Sequence, residues 1–230
     1  MSNSLFKKLE SNQIEFLKWI AIITMVIDHY SKIVLGENYI LESIGRIAMP
    51  IFAFLIAHNY LFFTKNKEKY IGRLFFFALI SQPVYSYVFE SSTLNILFTL
   101  LFGVLNIYVY EKIKEKTKKN LEILISYAFV NLLTILIGFF VDYAFFGIYI
   151  VVFSYFAFSK NIFSFMPPIF SILANIPVGF QSLFSLISFI LIYVSSKIRF
   201  NIKKSNKWFF YLFYPVHLIL LFLFKSFFFL

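Results

Sequence analysis

Long apolar runs follow one another along almost the whole chain, separated only by short clusters of charge. Nine can be drawn: Phe16–Leu35, Ile40–Phe63, Tyr70–Phe89, Leu94–Tyr110, Ile123–Phe140, Phe145–Phe158, Ile162–Asn175, Val178–Val194 and Trp208–Phe229. A membrane-crossing helix needs about 20 predominantly apolar residues, so nine of them nearly exhaust a chain of 230 residues. The expectation is an all-α polytopic transmembrane bundle of about nine spans. It forms a single integral membrane domain over residues 1–230 and leaves no room for a soluble domain. The sixth and seventh runs are short, and Pro167, Pro168 and Pro177 punctuate the seventh. A broken or re-entrant helix is expected there, with its backbone facing protein or water. The first apolar run starts late and lacks a small-residue cleavage site, so no signal peptide is expected. No internal repeat or linker is visible.

Composition agrees. The chain is 60% hydrophobic and 14% charged, against about 45–50% and about 25% for an ordinary soluble domain. So much apolar surface cannot be hidden inside a protein of this size, and the main solvent must be lipid. A soluble enzyme, a disordered chain and a nucleic-acid-binding module are excluded on this ground. The absence of cysteine excludes disulfides, thiolate chemistry and cysteine-ligated metals. A net charge of +10 would suggest nucleic acid as partner of a soluble protein. Here the positive-inside bias of membrane proteins accounts for it.

The charges sort by side. Lys7 and Lys8 precede the first run; Lys65, Lys67, Lys69 and Arg73 follow the second. Lys112, Lys114, Lys116, Lys118 and Lys119 follow the fourth, and Lys160 the sixth. Lys197, Arg199, Lys203, Lys204 and Lys207 follow the eighth. If the spans alternate, every basic cluster falls on one side, while Glu37, Glu42, Glu90 and Asp142 fall on the other. The amino terminus is therefore expected in the cytoplasm and the carboxyl terminus outside.

Ionisable groups at membrane depth cost a few kcal/mol each and mark functional sites. Asp28, His29, Arg46, His58 and His217 lie inside the runs, with Asp142 at the edge of one. At 1.5 Å per residue, Asp28 lies about 10 Å and Arg46 about 9 Å below the acidic-side boundary. His217 lies about 14 Å from the basic-side boundary, and Asn95 and Asp142 begin or precede spans on the acidic side. One buried polar site is the simplest explanation. Adjacent helical residues point about 100° apart, so Asp28 and His29 each seek a partner on a neighbouring helix. Equal depth suggests an Asp28–Arg46 ion pair, which frees His29 to face a cavity, oriented by Asp142 or Tyr143. His217 follows Pro215, which opens a helical turn. His58 reads as an interfacial residue near Asn59, Tyr60 and Thr64, and Arg73 as a topology or phosphate-binding residue. No GxSxG, Walker, GxGxxG or HExxH motif is present, and the histidines are too scattered in sequence to indicate a metal site.

Several ordered motifs carry a resemblance. They are Leu17-Lys18-Trp19-Ile20 running to Met25-Val26-Ile27-Asp28-His29, then Ile44-Gly45-Arg46-Ile47-Ala48-Met49-Pro50-Ile51-Phe52-Ala53-Phe54. Lys69-Tyr70 to Arg73, Ala78-Leu79-Ile80-Ser81-Gln82-Pro83 and Asn95-Ile96-Leu97-Phe98-Thr99 follow. Asp142-Tyr143 with Gly147, and Phe213-Tyr214-Pro215-Val216-His217-Leu218, complete the set. This pattern resembles the TraX family of integral membrane proteins, named for the conjugative-pilus protein that acetylates the pilin amino terminus. It departs from the family around Pro83, where Gln82 and Ser86 stand in place of acidic residues. More distantly, the chain is similar to membrane acyltransferases that carry an acetyl group from cytoplasmic acetyl-CoA to an acceptor across the membrane.

The resemblance implies an acetyltransferase of the bacterial inner (plasma) membrane, with acetyl-CoA as donor, no metal, and an amine or hydroxyl acceptor such as pilin or an envelope glycan or peptide. Under it His29 is the general base, or a transient acetyl carrier. Arg46, Asn95 or His217 supplies the oxyanion donor. Asp142 orients His29 or holds a protonated amine, Asp28 and Tyr143 complete the site, and Arg73 binds the donor's phosphates. Two readings from other classes stand beside it. A proton-coupled transporter of small molecules or glycans would also use intramembrane Asp, His and Arg. A non-enzymatic assembly subunit of a surface fibre would have little reason to stack them in one layer.

Overall fold

A computed structural model describes residues 6–159 and 161–228, so Lys160 and Phe229 lie outside the described residues. The described residues form ten α-helices: α1 Ser11–Tyr30, α2 Tyr39–Gly45, α3 Ala48–Phe62, α4 Lys67–Val88, α5 Ile96–Lys116, α6 Asn120–Gly138, α7 Ala144–Ser159, α8 Met166–Ala174, α9 Ser185–Ser195 and α10 Lys207–Phe228. No strand occurs among the described residues. Length and apolar composition qualify five stretches to cross a membrane: Tyr39–Phe62, Ile96–Lys116, Asn120–Gly138, Ile176–Ser195 and Trp208–Phe228. Ala144–Phe158 and Phe163–Ala174 are shorter apolar helices. Helices α1 and α4 are as long as the five but more polar, carrying Glu15, Lys18 and Asp28 in one and Arg73 and Gln82 in the other.

Helix α7 is the hub, packing against α3, α5, α6 and α8. Its Ile148, Ile150, Val151, Val152 and Ala157 are buried, as a helix that is apolar on all sides must be if it sits inside a bundle. Helix α6 shows the opposite arrangement, exposing Leu124, Phe129, Leu132 and Leu136 as a lipid-facing helix does. What ties α6 down is polar. Asn106 Nδ2 donates to Thr134 Oγ1 at 2.8 Å, Tyr127 donates to Asn106 Oδ1 at 2.7 Å, and Tyr149 donates to Asn131 Oδ1 at 2.7 Å. Such bonds are the usual glue between helices where no hydrophobic force distinguishes partner from lipid.

The second apolar run is broken. Helix α2 ends at Gly45 and α3 begins at Ala48, with Arg46 and Ile47 between them. Pro50, four residues on, has no N–H to give the Arg46 carbonyl, so the break falls where proline chemistry puts it. The Pro167-Pro168 pair does not interrupt a helix; it lies at the start of α8, where proline is tolerated. The interruption comes later, through a tight helical stretch at Ile176–Phe184 kinked at Gly179.

The basic loops gather at one end of the bundle. Leu9 N donates to His58 Nε2 at 2.9 Å, and Asn12 and Gln13 donate to the Phe200 and Ile198 carbonyls at 2.8 and 3.0 Å. Glu111 accepts from Tyr60 at 2.6 Å, Lys67 at 2.5 Å and Tyr155 at 2.8 Å, joining α3, α4, α5 and α7 there. At the opposite end, Leu94 N donates to the Phe140 carbonyl at 2.8 Å and Asp142 N to the Leu94 carbonyl at 2.9 Å. Asn95 caps α5 there: its Oδ1 accepts from Leu97 N at 2.9 Å, and its Nδ2 donates to the Ala78 carbonyl and Gln82 Oε1, both at 2.9 Å. Loss of a helix cap costs about 1 kcal/mol. Gln82 Oε1 keeps its bond from Asn95 N at 2.8 Å, so the Ala78 carbonyl is the one partner deprived, at about 1–3 kcal/mol. Asn95→Ala is expected to destabilise the fold by about 2–4 kcal/mol, measured by denaturant unfolding in detergent micelles.

Candidate functional site

A cavity of about 1390 Å³ runs through the bundle. Lys18, Lys65, Lys69, Arg73 and Lys204 line its basic end, and Asp28, His29, Lys32, Arg46, Asp142 and Tyr143 line its far chamber. Between them the wall is apolar, including Ile22, Phe52, Leu55, Leu100 and Tyr211. The structure thus gathers in one chamber most of the polar residues that the sequence scattered over four spans.

Asp28 is the hinge of the charged side. Its Oδ2 accepts from Lys32 Nζ at 2.7 Å, and its Oδ1 faces Arg46 Nη2 at 3.6 Å. The second distance is an ion pair without a hydrogen bond. Arg46 donates its hydrogen bond to Glu42 Oε2, at 3.3 Å. The expected Asp28–Arg46 pair is therefore present but is one link of a four-membered network, Lys32–Asp28–Arg46–Glu42. Lys32 and Glu42 were missed as site residues, although Asp28–Lys32 and Glu42–Arg46 both have the i,i+4 spacing that brings side chains together on a helix. Close approach makes the network possible. A Cβ on Gly45 would collide with the Asp28 side chain, so only glycine lets α2 lie against α1 at this depth.

His29 is oriented by a residue other than those expected. Its Nδ1 lies 2.7 Å from His217 Nε2, across 188 residues of sequence, and neither Asp142 nor Tyr143 hydrogen-bonds to it. The two imidazole rings are nearly parallel, with 9° between their planes. His217 Nδ1 is in turn 2.8 Å from the Phe213 carbonyl oxygen. His217 is buried and stands behind His29, outside the cavity lining.

Asp142 is held by its backbone: its carbonyl accepts from Thr99 Oγ1 at 2.6 Å, and its own Oδ1 accepts from Tyr143 N at 3.0 Å. Tyr143 and Ala144 have φ of 62° and 49°, a conformation that costs non-glycine residues of order 1–3 kcal/mol each and is characteristic of functional sites. Together these features aim Asp142 and Tyr143 into the chamber. Asn95 is not part of the lining and spends its side chain on the cap and on α4. Of the three candidate oxyanion donors, Arg46 alone faces the cavity, with its Nε buried and unpartnered. His58 is fully buried against Phe54, Phe62 and Phe158 and anchors the amino-terminal segment, so it is a packing residue and not an interfacial one. Arg73 lines the basic end of the cavity and lies over the Tyr70 ring, with its Nε buried and unpartnered.

Removing one partner of a buried ion network leaves the others uncompensated, at about 3–5 kcal/mol. Arg46→Leu is accordingly expected to destabilise the fold by that amount, with Arg46→Lys recovering part of it. Denaturant unfolding in micelles checks both, and equal stability of Arg46→Leu and the parent would contradict the network.

Comparison with known proteins adds the family. Over 109 residues the chain is 34% identical to a probable fimbrial assembly protein FimC, serogroup H1, of Dichelobacter nodosus, covering 40% of this chain and 44% of that protein. Over 102 residues it is 34% identical to an uncharacterized protein of Rickettsia prowazekii (strain Madrid E), covering 44% of this chain and 39% of that protein. The chain thus spans about two fifths of the length of the curated relatives it matches. No solved structure matches it. The family model described as TraX protein matches residues 13–225, including every residue of the chamber, and the chain belongs to the TraX family.

Proposed function

We propose that this protein is a membrane-embedded acyltransferase. It transfers an acetyl group from acetyl-CoA to an amine or hydroxyl acceptor, such as a pilin amino terminus or an envelope glycan, with His29 as general base. The observation that carries the reading is the continuous cavity that joins a ring of cations to the polar chamber. The donor has the same asymmetry: several phosphate charges at one end and a thioester at the end of a long thin arm. Lysine and arginine at the basic end suit the phosphates, the apolar middle suits the arm, and the chamber suits the thioester. Membership of the TraX family and the fimbrial assembly name of the Dichelobacter relative support a pilus-related setting.

In this reading the basic end faces the cytoplasm of a bacterium, the chain crosses its inner membrane about nine times, and the acceptor arrives from the acidic side. The acceptor N–H or O–H gives its proton to His29 Nε2 as its nitrogen or oxygen attacks the thioester carbonyl. Arg46 stabilises the oxyanion that develops. The C–S bond then breaks, the acetyl group stays on the acceptor, and the departing sulfur takes the proton back from His29. Asp142 and Tyr143 hold the acceptor, Asp142 being suited to a protonated amine before it is deprotonated. Asp28 acts through Arg46 and Lys32.

A general base contributes roughly 10²–10⁴-fold to rate. His29→Ala is expected to lose acetyl transfer by that factor while remaining folded and membrane-inserted, as measured by turnover of radiolabelled acetyl-CoA with purified protein. A fully active His29→Ala protein would sink the assignment. Arg73→Ala is expected to raise KM for acetyl-CoA by about tenfold with kcat unchanged, which is the signature of lost binding common to ground and transition states. The acceptor class is read by comparing intact masses of surface proteins and glycans from cells with and without the protein, seeking the mass of one acetyl group.

A further inference from the structure

We propose that His217 is a positioning residue that fixes His29 in the tautomer with hydrogen on Nδ1, leaving Nε2 as a bare lone pair on the cavity. Obligate hydrogen-bond roles run in sequence from Phe213 through His217 to His29. The Phe213 carbonyl oxygen can only accept, so the 2.8 Å contact requires hydrogen on His217 Nδ1. A second hydrogen on His217 would make it a cation. It is buried, its ring is stacked on Phe213, and among the described residues no carboxylate forms an ion pair or hydrogen bond with it. Burying an unpaired charge is far too costly, so His217 is neutral and its Nε2 carries a lone pair. That lone pair, 2.7 Å from His29 Nδ1, requires hydrogen on His29 Nδ1. Neutral His29 then carries its one in-plane lone pair on Nε2, which has no hydrogen-bond partner among the described residues, while the residue itself lines the cavity.

The geometry makes this assignment rigid. His217 cannot rotate without losing the Phe213 bond, and its ring is wedged between Phe213 and Tyr214. The nearly parallel rings, with centroids 5.0 Å apart, keep the two nitrogens in line. Phe89, just past the end of α4, packs edge-on to His29 with ring centroids 5.2 Å apart and limits its rotation. When His29 takes a proton on Nε2, the Nδ1–H bond to His217 strengthens and shares the new charge, the work a carboxylate does behind the histidine of a serine hydrolase. A neutral imidazole in that place gives weaker support than a carboxylate. It avoids adding a third carboxylate to a chamber already lined by Asp28 and Asp142.

The catalytic consequence rests on His29 being the base, but the tautomer does not, and the experiment separates the two. The chain has three histidines, so protein labelled with ¹⁵N-histidine in nanodiscs gives three assignable imidazole patterns. His58 serves as an internal control for folding, because its Nε2 accepts from Leu9 N. Wild type is expected to show hydrogen on Nδ1 of both His29 and His217. In His217→Leu the His29 pattern is expected to become a mixture of tautomers with the His58 signal unmoved. In His217→Gln, whose amide oxygen can take the place of Nε2, the wild-type His29 pattern is expected to persist. With acetyl-CoA and a working acceptor, His217→Leu should lose roughly 10²-fold or more in kcat with donor KM within about twofold, and His217→Gln should recover most of that loss. Wild-type protein with hydrogen on His29 Nε2, or a His217→Leu variant with an unchanged His29 tautomer, would overturn the proposal. Wild-type protein without transferase activity would overturn the proposed reaction, and the tautomer result would still decide the inference.

Discussion

A charge inside an apolar medium must find a partner, and the structure is arranged around that requirement. Asp28, Arg46 and Glu42 are buried, and their charges, with that of Lys32 at the cavity edge, are opposed in pairs along one network. Burying one of the three carboxylate or guanidinium groups alone would cost several kcal/mol, so the contact of α1 with α2 at this depth depends on their pairing. The glycine at position 45 and the proline at position 50 serve the same end. The first lets the helices approach, and the second breaks the helix so that Arg46 falls between α2 and α3.

The same physics explains the division of labour among the helices. Those facing lipid, α6 above all, are apolar on their outer surface and are held by a few polar bonds on the inner one. Helices α1 and α4 are less apolar because they border the cavity, α1 with Glu15, Lys18, Asp28 and His29 and α4 with Lys69 and Arg73. The central α7 is mostly apolar and contributes packing, with Tyr149 and Tyr155 bonding to α6 and α5. Its amino-terminal approach, strained at Tyr143 and Ala144, contributes to the site.

Much of the site was legible in the chain. The depth of Asp28 and Arg46 on consecutive spans follows from counting residues at 1.5 Å rise, and their pairing follows from the cost of leaving either alone. The i,i+4 partners were legible too, but Glu42 reads as a boundary charge because the second apolar run begins close to it, and Lys32, near the end of the first run, draws no attention beside Asp28. Asn95 shows the reverse error. A polar residue at a span edge looks like a substrate group, yet its side chain is consumed by a helix cap and by Gln82. His58 erred the same way, since a histidine near the basic boundary can as readily be buried among phenylalanines as sit at the interface.

The sequence by itself determined that this chain lives in a membrane, which end of the bundle gathers lysine, and which few ionisable residues lie between the ends. Those properties depend on composition and on distance along the helix axis. Only the tertiary structure decided what each residue faces, because rotation about a helix axis and the choice of neighbouring helix are set by packing across the whole bundle. The contact of His29 with His217, 188 residues apart, is of that kind. So are the withdrawal of Asn95 from the cavity and the continuous passage that joins the cations at one end to the histidine at the other.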